Sequence, residues 1–320
     1  MALSATTKKW ITTHIKEIQL DTKLDAYTSL KIGGKAEIIT FPVTIEEIEQ
    51  LVIYCWKKKI PYIVIGGGTN VLIFGGDISG VVIFTTRLIS PITVEADSET
   101  NKTRVTVSAG VSLQKLCRFA IRQGLCGFNS LIGIPGTVGG AIYTNAGTQK
   151  GSIGDFLHEI TVITKEGKRR FFKKNQMVFE YRHFSLHGIQ MKEPIIIAKA
   201  IFLLSKGNEA KLKKEAEKLL INRKHTQPLR TKNAGCFFKN PPLHSAGELI
   251  DKAGLKGLQV GGAMVSTKHA NFLINHNGAT AEDMKMLAER VQQVVKQKFG
   301  IELKPEVRML GDKAKTAKLL

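Results

Sequence analysis

The sequence predicts an α+β protein of more than one domain, and three observations predict it. Short apolar or alternating strands are interleaved irregularly with helices, without the strict strand–helix–strand repeat of a doubly wound sheet. The chain has 320 residues, enough for two or three modest domains with a substantial core. Hydrophobic residues make up 43% of it, which sets it apart from a disordered composition.

The first elements are KAEIITF (35–41), a short strand, and TIEEIEQLVIYCWKKK (44–59), a helix. Thr44, with Glu47 three residues on, is a capping-box start, and the closing lysines suit a helix C-terminus. YIVIGGG (62–68) is an apolar strand running into three glycines, and GVVIF (80–84) and RVTVSAG (104–110) are further strands. Ser112 caps a helix that Gly124 stops. Strands follow at about 157–165 and 194–204, then a helix from Glu209 to Lys224. The last section opens near Thr226. It holds a helix over Ser245–Lys252, a strand in HANFLIN (269–275) and a long helix over Ala281–Lys298, capped by Thr280 with Asp283 at the reciprocal position. PEVRML (305–310) is a final strand before a basic tail, GDKAKTAKLL.

Formal net charge is +20, from 47 basic and 27 acidic residues. That excess fits nucleic acid, an anionic membrane face, or small substrates rich in phosphate and carboxylate, and it also fits plain solvation of helix faces. The basic residues are dispersed and interleaved with acids, with no arginine-rich arm and no nucleic-acid motif, so no nucleic-acid partner is expected. No apolar run is long enough for a spanning helix and the start lacks a secretory h-region. The four cysteines form no CxxC pair, so no metal site is expected. A cytoplasmic monomer with no membrane partner is the simplest expectation.

Two glycine-rich stretches carry the first functional signal. GGGTNVL comprises Gly66, Gly67, Gly68, Thr69, Asn70, Val71 and Leu72; IPGTVGGAIYTNAG (134–147) includes Pro135, Gly136, Thr137, Gly139, Gly140 and Ala141. Each alone is either a tight structural turn or a nest of backbone N–H groups for phosphate oxygens. A pyrophosphate-bearing dinucleotide needs two such surfaces. Neither the dinucleotide G-x-G-x-x-G in register nor the P-loop G-x-x-x-x-G-K-[ST] is present, so a nucleotide would bind by another architecture.

Several polar residues stand out. Arg182, beside Tyr181, could clamp a carboxylate bidentately or make a surface ion pair. Cys236, in NAGCFFKNPP (233–242), is either a small buried hydrophobe or a thiol beside a substrate. Lys239 and Asn240 follow it. Lys224 closes a helix, where a cation is expected in any case. Glu306 lies in a mostly apolar strand, at a sheet edge or in a cleft. His269 opens the HANFLIN strand and reads as structural more readily than catalytic.

From TSLKIGG (28–34) to PEVRMLG (305–311) the chain resembles the UDP-N-acetylenolpyruvoylglucosamine reductases. The resemblance rests on the ordered set GGGTNVL, IPGTVGGAIYTNAG, Tyr181–Arg182, NAGCFFKNP, AGLKGLQVGGAMVSTKHANFLIN and PEV. It implies an FAD-PCMH-type fold: a two-part FAD-binding region (1–85 and 86–225), a C-terminal α+β substrate-binding domain (226–303), and a last strand (about 304–320) returning to the first part. It implies non-covalent FAD on the two glycine loops, NADPH as co-substrate and a sugar-nucleotide substrate. Arg182 and Glu306 match the groups that stabilise an enolate, and Cys236 matches the proton donor, often a serine in this family. Lys224 and Asn240 match substrate contacts, and Lys239 and His269 complete the candidate substrate-binding set. The short span from Arg182 to Cys236 resembles the subfamily without a tyrosine-bearing substrate loop, so no tyrosine clamp is carried over. An FAD oxidase of the same fold would share the glycine loops but lack NAGCFFKNP and PEV. A basic nucleotide- or RNA-binding protein without activity would be colourless when purified.

Overall fold

The computed structural model describes residues 3–74, 76, 78–189 and 194–311, so the basic tail beyond Gly311 lies outside the described residues. Seven α-helices are present among the described residues: α1 Ala5–His14, α2 Ile45–Lys57, α3 Leu113–Arg122, α4 Val138–Tyr143, α5 Glu209–Thr226, α6 Ala246–Lys252 and α7 Ala281–Phe299. The expected caps Thr44, Ser112 and Thr280 are present at α2, α3 and α7. Thr280 and Asp283 satisfy each other's backbone N–H at 2.9 and 3.1 Å. At α2, Thr44 accepts from Glu47 N–H, but the Glu47 carboxylate reaches past the cap to Val43 N–H. Helix α1, capped by Ser4, has no counterpart in the sequence reading.

The chain divides into two compact units. The first comprises Met1–Leu20, Glu37–Gly67 and Ser79–Ile221; the second comprises Asp21–Ala36, Gly68–Ile78 and Asn222–Leu320. The chain forms two larger sheets from residues before Ser205. One has four strands in the order Ile18–Lys23, Lys35–Thr40, Ile78–Phe84, Tyr62–Ile65, the last two parallel. The other is antiparallel and five-stranded, in the order Arg169–Lys173, Leu157–Ile163, Ile196–Leu204, Thr103–Ser108, Thr93–Ala96. Helix α3 turns Leu113, Leu116, Cys117, Ala120 and Ile121 inward at helical spacing, onto the core this sheet covers. A hairpin, Met177–Glu180 with His183–Leu186, completes the unit.

The second unit has one core assembled from separated stretches. Leu30, Ile32, Leu72 and Phe74 from the front of the chain pack with Phe237, Phe238, Leu249 and Ile250, and with Met284, Leu287, Ala288 and Val291 of α7. Its antiparallel sheet runs Lys232–Asn233, Leu273–Asn275, Ala263–Val265, Gln259–Val260. A separate parallel pair joins Arg308–Leu310 to Val71–Ile73.

Two strands are shorter than expected. HANFLIN gives a strand only over Leu273–Asn275, because Ser266 Oγ accepts the N–H groups of Lys268 and His269 and Phe272 N–H returns to His269 O, closing a turn. His269 therefore lies in a turn and does not open a strand. PEVRML gives a strand only over Arg308–Leu310: Pro305 has no N–H for a ladder and makes a single bridge to Phe238.

Candidate active site

The candidate residues divide between the units. Gly66, Gly67, Pro135, Gly136, Thr137, Gly139, Gly140, Ala141 and Arg182 belong to the first; Gly68 to Leu72, Lys224, Cys236, Lys239, Asn240, His269 and Glu306 belong to the second.

In the first unit the two glycine loops meet. A Cβ built on Gly66 would stand 2.5 Å from Thr137 Oγ1, and one on Gly67 would stand 3.0 Å from Gly136 Cα. The contact leaves no room for a side chain, while Gly66, Gly67, Gly136 and Gly140 stay half-exposed. The surface so formed is bare backbone, which fits a diphosphate-bearing cofactor that must approach main-chain N–H groups. The second loop is pinned from below. Leu113 N–H donates to Gly136 O, Val138 N–H to Val111 O and Gly139 N–H to Ala109 O, all at 2.9 Å. Gln114 brackets the loop, donating to Ile134 O and accepting from Gly133 N–H. Thr137 caps α4.

Arg182 occupies the two-residue turn of the Met177–Leu186 hairpin, with φ at 53°. An L-residue with a long side chain in that left-handed region costs about 1–2 kcal/mol, where glycine or asparagine would cost little. Positive φ also occurs at Asp21, Lys31, Lys59, Asn145 and Leu243, so it describes the turn and does not by itself assign Arg182 a role. Its guanidinium carbon lies 5.4 Å from the Tyr181 ring centroid. The base of the turn is tied to the end of α4 by buried Asn145, which donates to Glu180 O at 2.8 Å and accepts from Gly154 N–H at 3.2 Å. Lys174 donates to Gly154 O and lies over the Phe179 ring, and its burial lowers its pKa from the ordinary lysine value. The sequence reading does not single out Asn145. A lone asparagine following the apolar α4 is the available signal, since a buried amide must find partners.

In the second unit, Glu306 is hydrogen-bonded to the residue that follows Cys236. Glu306 N–H donates to Phe237 O at 2.8 Å, and Asn70 Nδ2 donates to Glu306 O at 3.3 Å. Asn70 O accepts in turn from Arg308 N–H. The first glycine motif, the cysteine peptide and the glutamate strand thus share one hydrogen-bonded backbone. Cys236 is half-buried. By contrast, burial pushes the thiols of Cys55 and Cys117 up to about 12, so these two are core fillers. Val71 and Leu72 pair with Arg308 and Met309, and Leu72 is fully buried, which assigns its side chain to packing.

Other candidates have evident structural duties. Asn240 Oδ1 accepts from Ala246 N–H and holds the start of α6. Lys239 N–H donates to Lys304 O. Lys224 is exposed in the last turn of α5, and its carbonyl accepts from Lys268 Nζ. His269 packs edge-on against Phe272, and its Nδ1 accepts from Asn271 N–H at 3.2 Å, which leaves its proton on Nε2. Burial lowers its pKa from the usual 6.5. The unfolded chain protonates this histidine at a higher pH than the folded one does, so its contribution is complete above about pH 6.5 and is lost as pH falls through the lower folded value. Thermal unfolding should show it: in His269→Ala the drop in Tm on going from about pH 7 to 5.5 is shallower than in the parent. Equal drops would dissociate His269 from acid sensitivity.

Among the described residues no group of three or more His, Cys, Asp and Glu could hold a metal ion, and no helix is long and apolar enough to cross a membrane.

Comparison with known proteins places this arrangement. Residues 36–172 match the FAD binding domain family, and residues 227–310 match the C-terminal domain of UDP-N-acetylenolpyruvoylglucosamine reductase. The chain is 40% identical over 309 residues to the UDP-N-acetylenolpyruvoylglucosamine reductase of Desulfosudis oleivorans, covering 95% of this chain and 98% of that protein. It belongs to the UDP-N-acetylenolpyruvoylglucosamine reductase family. A second member, from Caldanaerobacter subterraneus, is 39% identical over 93% of this chain and 95% of its own length. The crystal structure of the family's enzyme from Thermus caldophilus aligns with a TM-score of 0.75 at 32% identity, covering 92% of this chain and 98% of that one. The resemblance drawn from the motifs is therefore correct, as are the α+β class and the FAD-binding region followed by the family's C-terminal domain. The chain is an FAD flavoprotein oxidoreductase of this family, and the bare-backbone surface at Gly66, Gly67 and Gly136 lies within its FAD-binding domain.

Proposed function

We propose that the chain reduces the enolpyruvyl group of UDP-N-acetylglucosamine enolpyruvate to the lactyl ether of UDP-N-acetylmuramate, a step in peptidoglycan precursor synthesis, with NADPH as electron donor. The observation that supports this reading is that the backbone of Glu306 hydrogen-bonds the carbonyl of Phe237, the residue after Cys236, within the stretch that matches the family's own C-terminal domain.

The FAD, when bound, supplies the hydride for the methylene carbon of the enolpyruvyl group. Gly66, Gly67, Gly68, Thr69 and Asn70, with Pro135, Gly136, Thr137, Gly139 and Gly140, would hold it, chiefly through backbone. Hydride addition places negative charge over the neighbouring carbon and its carboxylate. Arg182 holds that charge with its planar fork, a donor set fixed before the reaction begins. Glu306 serves in its protonated form, since two anions in contact repel. Cys236 then delivers its proton to the carbon beside the carboxylate, completing addition of hydride and proton across the double bond, and takes a proton back from solvent. Lys224, Lys239 and Asn240 face the substrate's diphosphate and sugar, and the +20 charge of the chain suits a substrate with two phosphates and a carboxylate. A cytoplasmic monomer suffices, because both substrates are water-soluble.

The purified protein is expected to be yellow. Under anaerobic conditions NADPH should bleach the flavin absorbance, and the enolpyruvyl sugar nucleotide should restore it. Flavin that stays oxidised with NADPH present would remove the reductase assignment.

A further inference from the structure

We infer that Asn271 is the positioning residue of the proton-delivery half of the site, setting the aim of Cys236 and the seat of Glu306 together. The inference rests on the roles proposed above for those two groups, and its observation is independent of them.

The ladder beside the cysteine peptide ends early. Lys232 and Asn233 pair with Asn275 and Ile274 in regular antiparallel register. Ala234, Gly235 and Cys236 lie outside any strand, and the chain is next held where Phe237 N–H donates to Asn271 O, in the His269–Phe272 turn, at 2.7 Å. Gly235 bends this loop with φ at 80°, its N–H donating to Asn233 Oδ1. Cys236 lies on the loop, whose shape sets the aim of its side chain.

Such a loop keeps one shape only if the chain is held again beyond it. Asn271 does the holding. Its side-chain amide takes both sides of the Phe238 backbone, accepting from Phe238 N–H at 2.9 Å and donating to Phe238 O at 2.8 Å. The amide thereby substitutes for a strand neighbour. With its own carbonyl on Phe237 N–H, Asn271 holds three successive peptide planes directly after the cysteine. The Phe237 carbonyl is thereby left to accept Glu306 N–H. Asn271 is 2% exposed and so has no water to replace these bonds. Its own N–H is spent on His269 Nδ1, which fixes the turn that presents it.

The variants are Asn271→Asp, where an oxygen faces the Phe238 carbonyl, and Asn271→Ala. Each is compared as holoenzyme with Thr280→Ala, which destabilises the same unit at the α7 cap, away from the site. Stopped-flow measurement separates reduction of the flavin by NADPH from its reoxidation by the enolpyruvyl sugar nucleotide. Both Asn271 variants should reduce at the parent rate per flavin and reoxidise at least tenfold more slowly. The solvent deuterium isotope effect on reoxidation should rise, because proton delivery becomes the slow step. Thr280→Ala should leave both half-reactions and the isotope effect unchanged. Equal slowing of both half-reactions, or unchanged reoxidation in both Asn271 variants, overturns the inference. Cys236→Ala, run alongside, keeps the underlying reading separate: if reoxidation survives loss of the thiol, it is the proton-donor role that fails. Should the Asn271 variants not fold, Gly235→Ala decides. A Cβ there meets no atom within 4 Å, so slowed reoxidation comes from a reshaped loop backbone and unchanged reoxidation overturns the inference.

Discussion

Replacing Cys236 with alanine leaves reduction of the flavin by NADPH at the parent rate and slows reoxidation by the enolpyruvyl substrate by about 10²–10⁴-fold, the range a positioned general acid contributes. The asymmetry follows from where the proton is used. Hydride transfer from NADPH needs no proton at the substrate carbon, whereas the substrate half-reaction ends on one. Cys236→Ser restores much of the rate, because a hydroxyl at the same loop position reaches the same carbon. It also changes chemical sensitivity: the half-buried thiol is open to oxidation by peroxide, and a serine hydroxyl is not. Burial holds Cys55 and Cys117 protonated, with thiol pKa values of about 12, so they do not confuse that comparison. Stopped-flow flavin absorbance before and after peroxide checks both statements. Equal slowing of the two half-reactions in Cys236→Ala would mean that the cysteine supports the fold and delivers no proton.

Arg182 gives the second large effect, and here activity and stability are expected to move in opposite directions. Arg182→Gly removes the donor set facing the developing enolate and should lower turnover by about 10²–10³-fold. It also relieves a left-handed backbone at φ 53°, so the melting temperature should hold or rise. Arg182→Lys keeps the charge but loses the planar fork, and should recover only part of the turnover. Thermal melts and steady-state kinetics on the same preparations decide it. Unchanged turnover in Arg182→Lys would show that the fork is not what holds the enolate. A melting temperature that falls in Arg182→Gly would show that the turn is no strain reservoir.

Much of the fold was legible because the signals were local. Thr280 with Asp283, Ser112, and Gly124 after α3 mark helix ends by side-chain chemistry within a few residues. The family was legible for a different reason: its motifs are short peptides of distinctive residue order, such as the glycines at 66 to 68, which can be read without knowing that Thr137 and Gly136 are what crowd Gly66 and Gly67. What stayed hidden depends on residues far apart in sequence. Nothing near Leu30 or Leu72 announces that their partners are Phe237 and Met284. Nothing in KHANF says that Asn271 holds a peptide more than thirty residues earlier, though an asparagine between alanine and phenylalanine is a sign of a buried amide. Glu306 read as sheet edge or cleft, and it is the hydrogen bonds from its backbone to Phe237 and Asn70 that set it beside the cysteine peptide.

The parallel pairing of Val71–Ile73 with Arg308–Leu310 has a consequence for how the protein is made. More than two hundred residues separate the partners, so the pair cannot form until nearly the whole chain has left the ribosome. The first unit closes its cores from residues synthesised earlier, up to Ile221. During that interval Leu30, Ile32, Leu72 and Phe74 have been made but the rest of their core has not. Those four side chains are an exposed apolar surface on every nascent copy, and they set the stage at which aggregation competes with folding.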